Sequence, residues 1–178
     1  MKTGYRPSAI DAFKAKCCEC SANYLDGRTD CQIIRCPLYS RHPYRKLKPN
    51  YEWLFGRAFI KRMYEAEMIN LNMTIDEYVR THVMNSRGKL SVNMIVRGKC
   101  FWCCGDFRGG MPREDCGITD CALYYWMPYR TQLPTYDWMF DLSYTNKHRV
   151  AATMSGCMNP DGTINRPKYI KMLMERQK

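Results

Sequence analysis

Eight cysteines fall into two sets of matching spacing, Cys17-x2-Cys20-x10-Cys31-x4-Cys36 and Cys100-x2-Cys103-x12-Cys116-x4-Cys121. A C-x2-C knuckle offers two thiolates from one tight turn. A second pair, brought across by the intervening loop, completes the four soft ligands that tetrahedral zinc takes. The spacing predicts two four-cysteine sites and two Zn2+ per chain. The C-x4-C step is longer than the commonest ribbon spacing, so no named finger class is assigned. Two other readings stand beside zinc: buried thiols or disulfides, and an iron–sulfur cluster, although neither ferredoxin spacing is present. Cys18 and Cys104 adjoin ligands at non-equivalent places, so the shared register selects Cys17/Cys20 and Cys100/Cys103. Cys157 stands alone and reads as a small buried apolar side chain.

The elements that must position these thiols are themselves repeated. KAKC ending at Cys17 matches RGKC ending at Cys100. CPLYSRHPYR (36–45) matches CALYYWMPYR (121–130), and PNYEWLF (49–55) matches PTYDWMF (134–140). One length difference, in the loop between the cysteine pairs, accounts for the change in offset along the alignment. The chain reads as a unit of 80-odd residues, duplicated. The predicted fold is small and mostly α (α+β), a zinc-stabilised tandem duplication of a four-cysteine zinc loop followed by helices. Residues 1–90 form a basic first unit and residues 91–178 an aromatic second unit.

Local signals place the helices. Ser8 and Asp11 suggest a capped helix leading into Cys17. Asn50 and Thr135 are N-caps, with Glu52 and Asp137 in the following turns and Trp53 and Trp138 as anchors. Thr74-x-x-Glu77 is a capping box. Ile75, Tyr78, Val79, His82 and Val83 would then share one helical face, with Asn85 and Gly88 as the stop. Pro160-Asp161-Gly162 marks a tight turn before a last helix near 167–177. The cysteine loops leave room only for short hairpins.

The formal charge is +11 and the pI about 9.2. Two sites of four thiolates and one Zn2+ would bring the net charge to about +7. Lys16, Arg35, Arg97 and Lys99 then have a structural task, offsetting the thiolates. The excess is uneven, since residues 1–50 hold ten Lys/Arg against four Asp/Glu. No signal-peptide run and no membrane-span-length apolar run is present, which predicts a reducing cytosolic setting and no membrane.

The segment AIDAFKAKCCEC…DCQIIRCPLYSRHPYR resembles a cysteine-rich segment of small bacteriophage and prophage proteins. That segment runs as a Lys-Cys helix end, Cys-x-x-Cys, Cys-Pro-Leu and Pro-Tyr-Arg. The match covers about 36 residues of the first copy. The second copy departs from it at Ala122 and at Trp126-Met127. The resemblance implies a viral origin and a metal-bound unit, acting in the host cytoplasm or in the virion, and no particular reaction.

Catalysis is not the expectation. His42, His82 and His148 occupy unrelated places in the repeat. No nucleophile–base order, carboxylate pair or phosphate-gripping glycine loop is present, and FRGGMP (107–112) reads as a turn. Zinc held by four cysteines is coordinatively closed. A treble-clef nuclease would need a histidine base and a second metal site, and the sequence offers neither. No small-molecule substrate is expected. Nucleic-acid binding is the first function reading. RHPYRKLK in the first copy carries Arg41, Arg45, Lys46 and Lys48, whereas the aligned WMPYRTQL carries Arg130 alone. A basic loop held rigid by zinc suits DNA or RNA phosphates, and a merely solvated cationic face is its plain alternative. Arg45 and Arg130, present in both copies, are also candidates to bond loop carbonyls. The second function reading is a virion structural or assembly protein. There the uncharged Tyr124, Tyr125, Trp126 and Met127 would anchor a viral or host protein, and ordinary core is the alternative for those four.

Overall fold

The computed structural model describes residues 5–20, 29–55, 68–104, 115–140 and 146–177. About half of these residues are helical. The α-helices are α1 (Ala9–Cys20), α2 (Ile75–Tyr78), α3 (Val92–Cys104), α4 (Asn146–Met154) and α5 (Arg166–Glu175). Short 3-10 turns cover Pro37–Arg41, Glu52–Phe55, Tyr124–Trp126 and Asp137–Phe140. Among the described residues, β pairing is confined to one antiparallel bridge between Met158 and Ile164. The hairpins expected in the cysteine loops fall partly on residues 21–28 and 105–114, outside the described residues, as does FRGGMP. The described parts of those loops form bends and turns, and 3-10 turns follow the last cysteine of each, at Pro37–Arg41 and Tyr124–Trp126.

The helix starts follow the capping signals. The Asp11 amide donates to Ser8 Oγ (3.5 Å) at the head of α1. Thr74 and Glu77 form the full capping box of α2, each side chain taking up the other's backbone N–H. Asn165 caps α5 through the Lys168 amide. The run from Thr74 departs from a regular helix at Val79, where a π-helical segment, Val79–Val83, takes over. The Met84 amide then reaches the Val79 carbonyl (2.9 Å), five residues back. This wider step keeps Tyr78 and Val79 buried but leaves His82 exposed. The His82 ring stacks on Tyr78 with centroids 4.6 Å apart. Asn50 caps as expected, through the Glu52 amide (2.7 Å).

Contacts divide the chain into two units. One consists of Met1–Arg28, Ile118–Tyr125 and Gln132–Lys178, the other of Thr29–Gly117 and Trp126–Thr131. This differs from the division at residue 90 expected from the repeat. The physical reason lies in the packing of the two cysteine-bearing helices. In the first unit, Ala15 and Cys18 of α1 pack on Ala122 and Trp138. In the second, Gly98 of α3 lies against Pro37 and Trp53. Each unit therefore takes its helix from one copy and the turn behind the last cysteine from the other.

The core of the first unit gathers Tyr136, Met139, Ala152, Cys157 and Tyr169. Full burial of aromatic and aliphatic side chains of this size contributes about 1.5–3 kcal/mol each. His148 is buried there, its Nδ1 3.1 Å from the Tyr169 hydroxyl. In the second unit Leu38, Tyr39, Leu54, Tyr78, Leu90, Ile95 and Val96 are buried. Phe55 meets Tyr78 edge to face at 6.2 Å.

Candidate metal loops and basic cavity

The two C-x4-C loops are built by the same bonds at equivalent positions of the repeat. In the first, the Cys36 amide donates to the Ile33 carbonyl, the Tyr39 amide to Cys36, and the Asn50 amide to Ile34. In the second, Cys121 donates to Ile118, Tyr124 to Cys121, and Thr135 to Thr119. Gln32 and Gly117, each just after the first cysteine of its loop, both have left-handed backbones (φ 56° and 67°). Glycine is at ease there and glutamine is not.

The residue before each of these cysteines organises the loop. Asp30 accepts from the Gln32 amide (2.9 Å), the Lys46 amide (2.7 Å) and the Tyr39 hydroxyl (2.9 Å). Asp115 accepts from the Gly117 amide (2.9 Å) and from the Thr131 amide and hydroxyl (2.5 Å each). Burial pushes the Asp30 carboxyl upward, but the hydrogen bonds from Gln32, Lys46 and Tyr39 outweigh it and hold its pKa below the ordinary value. Neither aspartate belongs to the four-cysteine pattern. The available signal was an Asp directly before the third cysteine of the first copy and before the third of the second.

The cysteines themselves are distributed between the units. Cys17 (buried), Cys20 (exposed) and Cys121 (half-buried) belong to the first. Cys31, Cys36, Cys100, Cys103 and Cys116 belong to the second, with Cys36 buried and Cys103 exposed. Among the described residues, no three His, Cys, Asp or Glu side chains gather closely enough to hold a metal ion. The donors are of a kind that zinc takes. Cys17 and Cys20 lie three apart on α1, and Cys100 and Cys103 three apart on α3, a spacing that puts residues on one helical face. Cys18 turns elsewhere, into the contact with Ala122. Cys157 is buried with its Sγ 3.6 Å from the Ser155 carbonyl oxygen, a core position. Cys116 Sγ lies 3.7 Å from Met127 Sδ.

Two of the four predicted aromatic-loop anchors are core residues. Tyr124 and Met127 are 1% and 3% exposed, and the Tyr124 hydroxyl accepts from the Gln132 amide. Neither is a surface anchor, because folding of the chain itself covers them. Tyr125 and Trp126 are half-buried, and Tyr125 packs on the first unit's core.

The basic loop separates into cations with different tasks. Arg41 is half-buried and donates to the Leu90 carbonyl oxygen (2.5 Å), which ties the Pro37–Arg41 turn to the approach of α3. That makes it a brace. Arg45 is exposed and spends one N–H on the Ser40 carbonyl oxygen (2.5 Å), as expected for a loop arginine. Lys46 and Lys48 are exposed, and Lys48 pairs with Asp76. Arg45, Lys46 and Lys48 line a cavity of about 610 Å³ together with Arg80, Tyr51, Leu47, Pro49, Met84 and Gly88. A neighbouring cavity of about 640 Å³ shares Lys48 and Arg80 and adds Glu52, Asp76 and Glu77. Burial, helped by the Asp76 carboxylate, raises the pKa of the Tyr51 phenol against the pull of Arg45, Arg80 and Lys48.

Comparison with protein families, with curated proteins and with solved structures finds no match. Among the described residues, no helix is long and apolar enough to cross a membrane.

Proposed function

We propose that this is a non-catalytic, duplicated zinc-binding protein of the bacteriophage kind, which binds nucleic acid, or a nucleoprotein or transcription complex, through its basic loop. It works in the host cytoplasm. The observation that carries the reading is the loop from Ser40 to Lys48. Its shape is set by Asp30, which accepts from the Lys46 amide, while Arg45, Lys46 and Lys48 stay exposed. Cations on a braced loop lose little entropy on meeting phosphates. The matching bonds of the two C-x4-C loops support the duplication, and the helical thiol pairs support two Zn2+. The histidines support a role without catalysis, since His42 and His148 are buried and His82 is stacked on Tyr78.

Elemental analysis of the purified chain tests the metal, with two zinc ions expected. Fluorescence anisotropy with labelled duplex DNA, single-stranded DNA and RNA tests the binding, with affinity falling steeply as salt rises. Absence of salt-dependent binding to all three sinks the nucleic-acid reading. The second reading, a zinc-stabilised virion structural or assembly protein, is favoured by Ile33 and Ile118. These equivalent residues in the two C-x4-C loops are 50% and 52% exposed. Presence of the chain in purified virions would select it.

A further inference from the structure

We propose that Arg80 completes a cavity for the phosphodiester backbone, so that binding is led by phosphates. The inference rests on the nucleic-acid reading above and names its contact surface. Arg80 lies outside the basic loop, on the π-helical segment Val79–Val83, yet it lines the same cavity as Arg45, Lys46 and Lys48. Among the described residues, four cations line that cavity and no carboxylate does. Arg45, Arg80 and Lys48 all lie close enough to act on the buried Tyr51 phenol, as does the Asp76 carboxylate in the opposite sense.

The π-helical turn gives Arg80 its position. The wider helical step at Val79 keeps Tyr78 and Val79 in the core and leaves Arg80 exposed beside the loop. Such insertions recur at functional sites. Tyr51 is 7% exposed, so its ring is not available as a stacking platform for a base. What the cavity offers is guanidinium and ammonium groups, which bind phosphate oxygens, and phosphate contacts carry no sequence information. Arg41, committed to the Leu90 carbonyl oxygen, is not among these contacts. Asp76 competes for Lys48 in the free protein, so an incoming phosphate must displace that carboxylate.

The test is salt-dependent anisotropy of the full-length protein with a mixed-sequence single strand and with the duplex of the same sequence. Arg80→Gln should weaken binding about fivefold at low salt and reduce the salt slope by about one. Lys171→Gln removes the same charge from an exposed site on α5, and should change the slope by far less. Asp76→Asn should strengthen binding by freeing Lys48. The two arms show which form supplies the phosphates. If the wild type binds but Arg80→Gln matches Lys171→Gln, the inference is overturned and the function reading stands. If the wild type binds neither strand form nor RNA, both fall.

Discussion

Gly98 faces the ring of Trp53 with no room for a side chain between them. A Cβ on Gly98 would stand 2.5 Å from Trp53 Cζ3 and 3.1 Å from Pro37 Cγ. At the equivalent place in the first copy, Ala15 meets Ala122 and Trp138. The pair is thus Gly with Pro in one unit and Ala with Ala in the other, a small residue on the helix where the turn brings a larger one. Gly98→Ala should therefore destabilise the second unit by about 1–3 kcal/mol, although alanine is the better helix former. Chemical denaturation checks this, and Gly98→Ala combined with Pro37→Ala should recover part of the loss. An unchanged midpoint in the single variant would contradict the close approach.

Removing a ligand and removing its neighbour should separate in metal content. Cys36→Ser should lose one of two zinc ions and several kcal/mol with it, because metal binding at such loops is folding energy. Cys18→Ser should keep both ions and cost about 1–2 kcal/mol from the contact with Ala15 and Ala122. Zinc per chain by elemental analysis decides between them. Equal metal loss in both variants would reject the ligand register.

Acid should loosen the first C-x4-C loop through Asp30. Its folded-state pKa lies below the ordinary value. The stability it contributes is therefore fully present above the unfolded-state pKa near 4, and is lost as pH falls through the lower folded value. Thermal midpoints measured from neutral to acid pH should fall for the wild type. Asp30→Asn should start lower and fall less. Parallel curves for the two proteins would show that Asp30 is not the group responsible.

The fragment 1–90 should not fold as a unit even with zinc supplied. It contains the Pro37–Arg41 turn and Trp53 but lacks α3, the helix that packs on both. Circular dichroism under heating should show no cooperative transition. A sharp transition with one bound zinc would restore the division at residue 90.

Much of the local structure was legible in the sequence. Ser8, Thr74, Glu77 and Asn50 announced helix or turn starts, because capping depends on neighbours within four residues. The mostly helical class was legible for the same reason. The π-helical step at Val79 was not, because tertiary packing of Tyr78 and Val79 overrides the regular period. The exchange of helices between the copies was also hidden. Both pairings bury similar small residues, and only the matched sizes at Gly98/Pro37 and Ala15/Ala122 distinguish them. Within the site, the exposed Arg45, Lys46 and Lys48 could be read from the loop, whereas Arg80 comes from a distant segment with no motif to announce it. Tyr124 and Met127 look like surface aromatics and thioethers only until the chain closes over them.

The contact of Ala15 and Cys18 with Ala122 also sets a schedule. Helix α1 must wait about a hundred residues of synthesis for the surface it packs on. A growing chain leaving the ribosome would carry α1 unsheltered, with its thiols open to oxidation or to stray metal, until Ala122 has been made. Burial of Cys18 therefore waits on Ala122, and ribosome-bound chains arrested before Ala122 should remain reactive toward thiol reagents at Cys18.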